Sequence, residues 1–184
     1  MTVPDTLTTD DAVLVLIDYQ ERLFPAMHDR ERLLRNVLKL VKGAGVFGLP
    51  VILTEQYPKG LGPTLPEIRD LLPGVTPIAK TCFSACDDDS FLQVLRVSGR
   101  RQVLLAGIET HICVYQTALG LARDGWQVQV VRDCCASRDP ANETAAFERM
   151  NAAGVSPTNV EMALFELLKE GRGEVFKRIS TIVK

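Results

Sequence analysis

A three-layer α/β/α, Rossmann-like fold around a mostly parallel six-stranded sheet is what this sequence predicts, on three observations. Short apolar runs alternate with amphipathic segments along all 184 residues, as strands and helices do when helices cover both faces of a sheet. Two runs, AVLVLI at 12–17 and VLLA at 103–106, are continuous rather than alternating, which suits strands buried on both faces. Polar residues stand at the ends of these runs, and sites in such sheets lie at the carboxyl ends of the strands.

In order, the run at 12–17 is a central strand ending at Asp18, and a turn with Phe24 and Pro25 leads to a helix at 32–47. Leu34, Val37, Leu38, Val41 and Ala44 recur there at helical spacing, and Gly48 and Pro50 close the helix. Residues 51–54 form the second strand. Residues 55–74, dense in Pro and Gly, read as a long loop with one helical turn, and long loops often carry function. The third strand covers 76–79 and ends at Lys80. Asp87, Asp88, Asp89 and Ser90 open a helix through Val97, their charges suiting its N-terminal dipole. The fourth strand, 103–106, is broken by Gly107; a polar elbow (Glu109, Thr110, His111) then passes into a helix ending near Asp124 and Gly125. The fifth strand covers 127–131, with Asp133 at its end. Asp139 and Pro140 supply N-cap and first turn for a helix to Ala153. Residues 155–157 suit an edge strand, because Pro is tolerated there. Thr158 and Glu161 read as a capping box for a helix at 160–168, and an amphipathic helix with Val175, Phe176, Ile179, Ile182 and Val183 ends the chain.

Size and composition fit one domain over residues 1–184, with 46% hydrophobic and 24% charged residues. The formal charge is 21 − 23 = −2 with no basic block, so neither nucleic acid nor a membrane surface is expected as a partner. No apolar run approaches a membrane span, and the opening MTVPDTLTTDD lacks a secretory leader. Five scattered cysteines, an odd number, argue against a disulfide scaffold and for a cytoplasmic location. Cys82, Cys86, Cys134 and Cys135 show no Cys-x-x-Cys spacing, so neither a metal nor another cofactor is expected.

Taken singly, Asp18 reads as a turn residue, Lys80 as a surface charge and Cys113 as a small buried hydrophobe. Taken together, they stand at the ends of three strands of one sheet and should meet on one rim. That set suits a cysteine hydrolase of a small-molecule substrate: Cys113 the nucleophile, Asp18 the proton shuttle, Lys80 the charge that holds both. A thiol at a strand-to-helix elbow is expected to have a lowered pKa, with the backbone N–H groups of Ile112 and Cys113 as oxyanion donors. His111 sits two positions from Cys113 and is poorly placed as its base, and His28 reads as surface. Gln20, Phe24, Tyr57, Phe83 and Thr110 are the pocket candidates.

Asp18-Tyr19-Gln20, Lys80, GIETHICV at 107–114, Thr117-Ala118 and VVRDCCASR at 130–138 resemble the signature of the isochorismatase-like cysteine hydrolase family. TEQYPKGLGPT at 54–64, KTCFSA at 80–85 and LFELL near Leu164 resemble its branch of isochorismatase domain-containing proteins. The resemblance implies a six-stranded parallel sheet, an Asp-Lys-Cys triad, a homo-oligomer (dimer or tetramer) and a cis peptide in the elbow, placed here at Ile108–Glu109. Two departures matter. Nicotinamidases of the family hold a metal through an Asp and two His after the second strand, where this chain reads Glu55-Gln56-Tyr57. Members that cleave the vinyl ether of isochorismate do not depend on a cysteine. Cys86 also stands where many relatives carry Phe. The expected activity is therefore metal-free hydrolysis of a C–N bond, in an amide or carbamoyl compound, through an acyl-thioester. A catalytically silent oligomeric interaction protein, an isochorismate-type hydrolase and a Cys113 redox sensor are the alternatives.

Overall fold

The computed structural model describes residues 6–184; the sequence reading of the opening segment as leaderless rests partly on residues 1–5, outside that range. Six strands, β1 Ala12–Ile17, β2 Val51–Gln56, β3 Ile78–Lys80, β4 Gln102–Ile108, β5 Gln127–Ala136 and β6 Ser156–Thr158, pair in parallel in the order β3-β2-β1-β4-β5-β6. The helices are α1 Arg30–Phe47, α2 Pro58–Leu61, α3 Pro66–Arg69, α4 Asp89–Val97, α5 Tyr115–Arg123, α6 Pro140–Ala152, α7 Val160–Leu168 and α8 Gly173–Val183. The strand order reverses between β1 and β4, and sites in such sheets lie at the carboxyl ends of the strands beside that switch point.

The unbroken run of β1 has a simple cause. Ala12, Leu14 and Leu16 pack toward α1, α7 and α8, while Val13, Val15 and Ile17 pack toward α4, α5 and α6. All six are fully buried, so each face of the strand needs an apolar side chain. Every such Val, Leu or Ile contributes about 1.5–3 kcal/mol.

Several boundaries move from those expected. Gly107 does not break β4: it pairs with Ile17 on one side and Cys135 on the other, and the strand runs on to Ile108. Likewise β2 extends to Gln56 and β5 to Ala136, since neighbouring strands supply their ladder bonds. The loop 55–74 holds two short helices, α2 and α3, rather than one turn. At α7 the N-cap is Asn159, whose side chain accepts from the Met162 N–H, in place of the Thr158 capping box. Asp88 and Asp139 do cap α4 and α6 through their carboxylates.

Gly107 also sets how closely β4 approaches β1. A Cβ there would lie 2.6 Å from the Ile17 carbonyl oxygen and 2.9 Å from its Cα, immediately before Asp18. The contact is with backbone, which cannot rotate aside. Gly107→Ala is expected to lower stability by about 2–3 kcal/mol and to slow modification of Cys113; a denaturation midpoint equal to that of the parent would show that the strands yield.

Candidate active site

The β1/β4 switch point gathers Asp18, Lys80 and Cys113 from three strand ends. Asp18 follows β1 with φ 58°, a left-handed conformation that Asp tolerates better than most residues and that turns the chain sharply out of the strand. Its Oδ2 accepts from Lys80 Nζ at 2.7 Å, and its Oδ1 accepts from the Thr54 hydroxyl at 2.6 Å. The Cys113 thiol lies close to this carboxylate, which raises its pKa. Exposure is 0% for Asp18, 2% for Lys80 and 5% for Cys113, so the interactions are hardly screened by solvent.

Lys80 closes β3, beside Gln56 of β2 in the parallel register. Its ammonium donates to Asp18 Oδ2 and to Gln56 Oε1, each at 2.7 Å, with the carbonyls of Cys82 and Phe83 at 3.3 and 3.4 Å. Three N–H bonds face four acceptors, so the charge is fully engaged by the protein. Gln56 is oriented in turn by donating Nε2 to the Thr81 carbonyl at 2.7 Å.

Cys113 lies in a single π-helical turn, Thr110–Val114, between β4 and α5. The peptide bond Ile108–Glu109 that precedes this turn is cis. Glu109 is buried, and its carboxylate accepts from the Arg138 backbone N–H at 3.1 Å and from Arg138 Nε at 3.1 and 3.2 Å. The elbow is thereby tied to the loop after β5. The Ile112 N–H donates to the Glu109 carbonyl at 3.1 Å, so it is not free for an oxyanion as the sequence reading has it.

The lowered thiol pKa expected for a helix-start position is not what the site produces. Burial pushes the Cys113 thiol up to about 12; the Asp18 carboxylate adds to that rise by charge and by hydrogen bonding, and Glu109 adds a little more. Lys80 pulls in the other direction and loses. Desolvation exceeds the dipole of one short turn, so at neutral pH the resting sulfur is a thiol whose proton faces a carboxylate.

Other sequence candidates divide. Gln20 is a clamp: its Nε2 donates to the carbonyls of Gln56 at 3.0 Å and Gly62 at 2.7 Å, and its Oε1 accepts from the Gln56 N–H at 2.7 Å. Phe24 belongs to the core beneath α1 rather than to a pocket wall. Tyr57 and Phe83 are each 55% exposed, on the loops after β2 and β3 that surround Lys80. Thr110 is fully buried in the elbow. His111 turns to Ser137, Nδ1 to Oγ 2.9 Å, and His28 is exposed. Cys86 packs in the layer between the sheet and α5, with its Sγ 3.6 Å from the Thr117 carbonyl.

Thr54, Gln56 and Arg138 escaped the sequence reading. A signal for Thr54 existed: it is the first polar residue after the apolar VIL of β2, level with Ile17 in the strand register. Glu55, where a metal ligand of nicotinamidases would stand, accepts instead from the N–H and hydroxyl of Thr64 at 2.7 and 2.8 Å. Among the described residues no group of three or more His, Cys, Asp or Glu side chains is arranged to hold a metal ion, and no helix is long and apolar enough to cross a membrane. A groove of about 610 Å³ between α1 and α8 is lined by none of Asp18, Lys80 and Cys113.

The isochorismatase domain model matches residues 12–162. Isochorismatase domain-containing protein 2A of Mus musculus is 37% identical over 178 residues, covering 95% of this chain and 84% of that one. Among solved structures, YcaC of Pseudomonas aeruginosa, with hexane-2,5-diol and covalent acrylamide, is 29% identical with a TM-score of 0.94, covering 100% of this chain and 92% of that one. The YcaC gene product of Escherichia coli, an octameric hydrolase of unknown specificity, is 30% identical with a TM-score of 0.93, covering 98% and 91%.

Proposed function

The chain belongs to the isochorismatase family, and from that premise we propose that it is a metal-independent cysteine hydrolase that cleaves a C–N bond in a small amide or carbamoyl compound. The observation that carries the reading is one carboxylate, Asp18, held by Lys80 and Thr54 and close enough to Cys113 to raise its thiol pKa.

In this mechanism Sγ attacks the carbonyl carbon as the thiol proton passes to Asp18, and the C=O π pair becomes an oxyanion. Collapse breaks the C–N bond, Asp18 returns the proton to the departing nitrogen, and an acyl-thioester remains. Water then attacks, giving a proton to Asp18, and the acid leaves as sulfur recovers its proton. Lys80 and Thr54 keep the carboxylate in one orientation through both halves. A high thiol pKa suits this sequence, since the proton is held where the leaving nitrogen needs it. Acrylamide is an electrophile, so its covalent capture in the Pseudomonas relative supports a nucleophile in a site of this fold. The octameric Escherichia coli relative supports self-assembly of this chain, for which exposed Val94, Val97, Met162 and Phe165 offer apolar surface.

The test is turnover of a panel of small amides and carbamoyl compounds, with intact-mass detection of the acyl-enzyme. Absence of both across the panel refutes the reading. Asp18→Asn separates its two halves. Removing the carboxylate removes two causes that raise the thiol pKa while Lys80 continues to lower it, so the thiolate fraction at pH 8 rises. Alkylation of Cys113 by iodoacetamide should therefore quicken while turnover falls by about 10²-fold or more. Alkylation that slows with turnover would argue against the proton shuttle.

A further inference from the structure

Among the described residues one buried side-chain polar atom has no hydrogen-bond partner, the hydroxyl oxygen of Thr110. The residue is 0% exposed and precedes Cys113 by three positions in the same single π-helical turn. Buried hydroxyls are almost always satisfied, and an unsatisfied one is a standing cost that folding alone does not explain. A hydroxyl both donates and accepts, which matches an amide head offering one C=O and one N–H.

The charged groups that act on Cys113 are Asp18, Lys80 and Glu109. Lys80 faces four acceptors of the protein itself. Both Asp18 oxygens are occupied, and both oxygens of Glu109 face Arg138. A substrate carboxylate brought against Cys113 would enter a dry site beside two carboxylates and find no uncommitted buried cation.

We propose that Thr110 Oγ is a substrate-binding group at the nucleophile, and that the molecule it receives is uncharged at the end that enters the site, a neutral amide rather than a carboxylate-bearing one. This rests on Cys113 being the nucleophile.

Iodoacetamide and iodoacetate differ only in amide against carboxylate, and both report on Cys113 without needing turnover. Rates are read by peptide mass and normalised to the same pair of reagents acting on a free small thiol. Iodoacetamide should be preferred by about tenfold or more beyond the free-thiol ratio. Thr110→Val, equal in shape, should remove about tenfold of the iodoacetamide rate, and Thr110→Ser should restore it to within about threefold. The thermal midpoint of Thr110→Val should not fall, because no protein hydrogen bond is lost; a hydroxyl with a structural role would lower it. Equal normalised rates for the two reagents, or a Thr110→Val protein that reacts like the parent, overturns this inference alone. If Cys113 reacts with neither reagent faster than Cys82 does, the nucleophile assignment falls and takes the inference with it.

Discussion

Replacing Cys113 by alanine is expected to lower amide turnover by about 10³-fold or more and to eliminate the acyl-enzyme, with little change in stability. The size of the effect follows from the mechanism: without Sγ no covalent intermediate forms, and Asp18 has no proton to carry to the leaving nitrogen. Stability should change little because the side chain is small and the Asp18 carboxylate keeps Lys80 and Thr54. Intact mass, turnover and thermal midpoint on the same preparation check all three. Turnover within tenfold of the parent would remove Cys113 from the chemistry.

Lys80→Met should be the most destabilising single change at the site, by about 3–5 kcal/mol. Both partners of the Lys80–Asp18 pair have side chains 0% exposed. Removing the ammonium leaves a buried carboxylate with the Thr54 hydroxyl as its remaining side-chain hydrogen-bond donor among the described residues. It also strips Gln56 Oε1 and the carbonyls of Cys82 and Phe83 of their donor. The double variant Asp18→Asn/Lys80→Met should be more stable than Lys80→Met alone, since no buried charge is then uncompensated. Denaturant midpoints of the parent, both single variants and the double variant give the coupling. A double variant as unstable as the sum of the singles would mean that the two charges do not act as a pair.

How much was legible beforehand differs between elements for identifiable reasons. The strands β1 and β4 were legible because burial on both faces forces continuous apolar runs. The cap of α6 was legible because Asp followed by Pro at a helix start has one dominant use, whereas at α4 only the acidic charge was legible and Asp88 turned out to be the cap. The edges of β2, β4 and β5 were not. Gly107 reads locally as a breaker, yet parallel partners on both sides hold it in the strand. Gln20 and Phe24 stand in the loop after β1 and so read as pocket residues. One clamps Gln56 and Gly62 and the other fills the core, roles set by contacts 36 and 42 residues away for Gln20 and by packing beneath α1 for Phe24.

By itself the sequence determined the fold class and which three residues stand at the strand ends, because hydrophobic patterning sets the strands and strand polarity sets the rim. It also determined that Glu55-Gln56-Tyr57 lacks the histidines of a metal-binding relative. Only the tertiary structure decided the electrostatics around Cys113. Whether the elbow lowers the Cys113 pKa, or burial and a facing carboxylate raise it, depends on dielectric and distance. Both arise from segments far apart in the chain: Asp18, Thr54, Lys80 and Cys113 meet only once the sheet is closed.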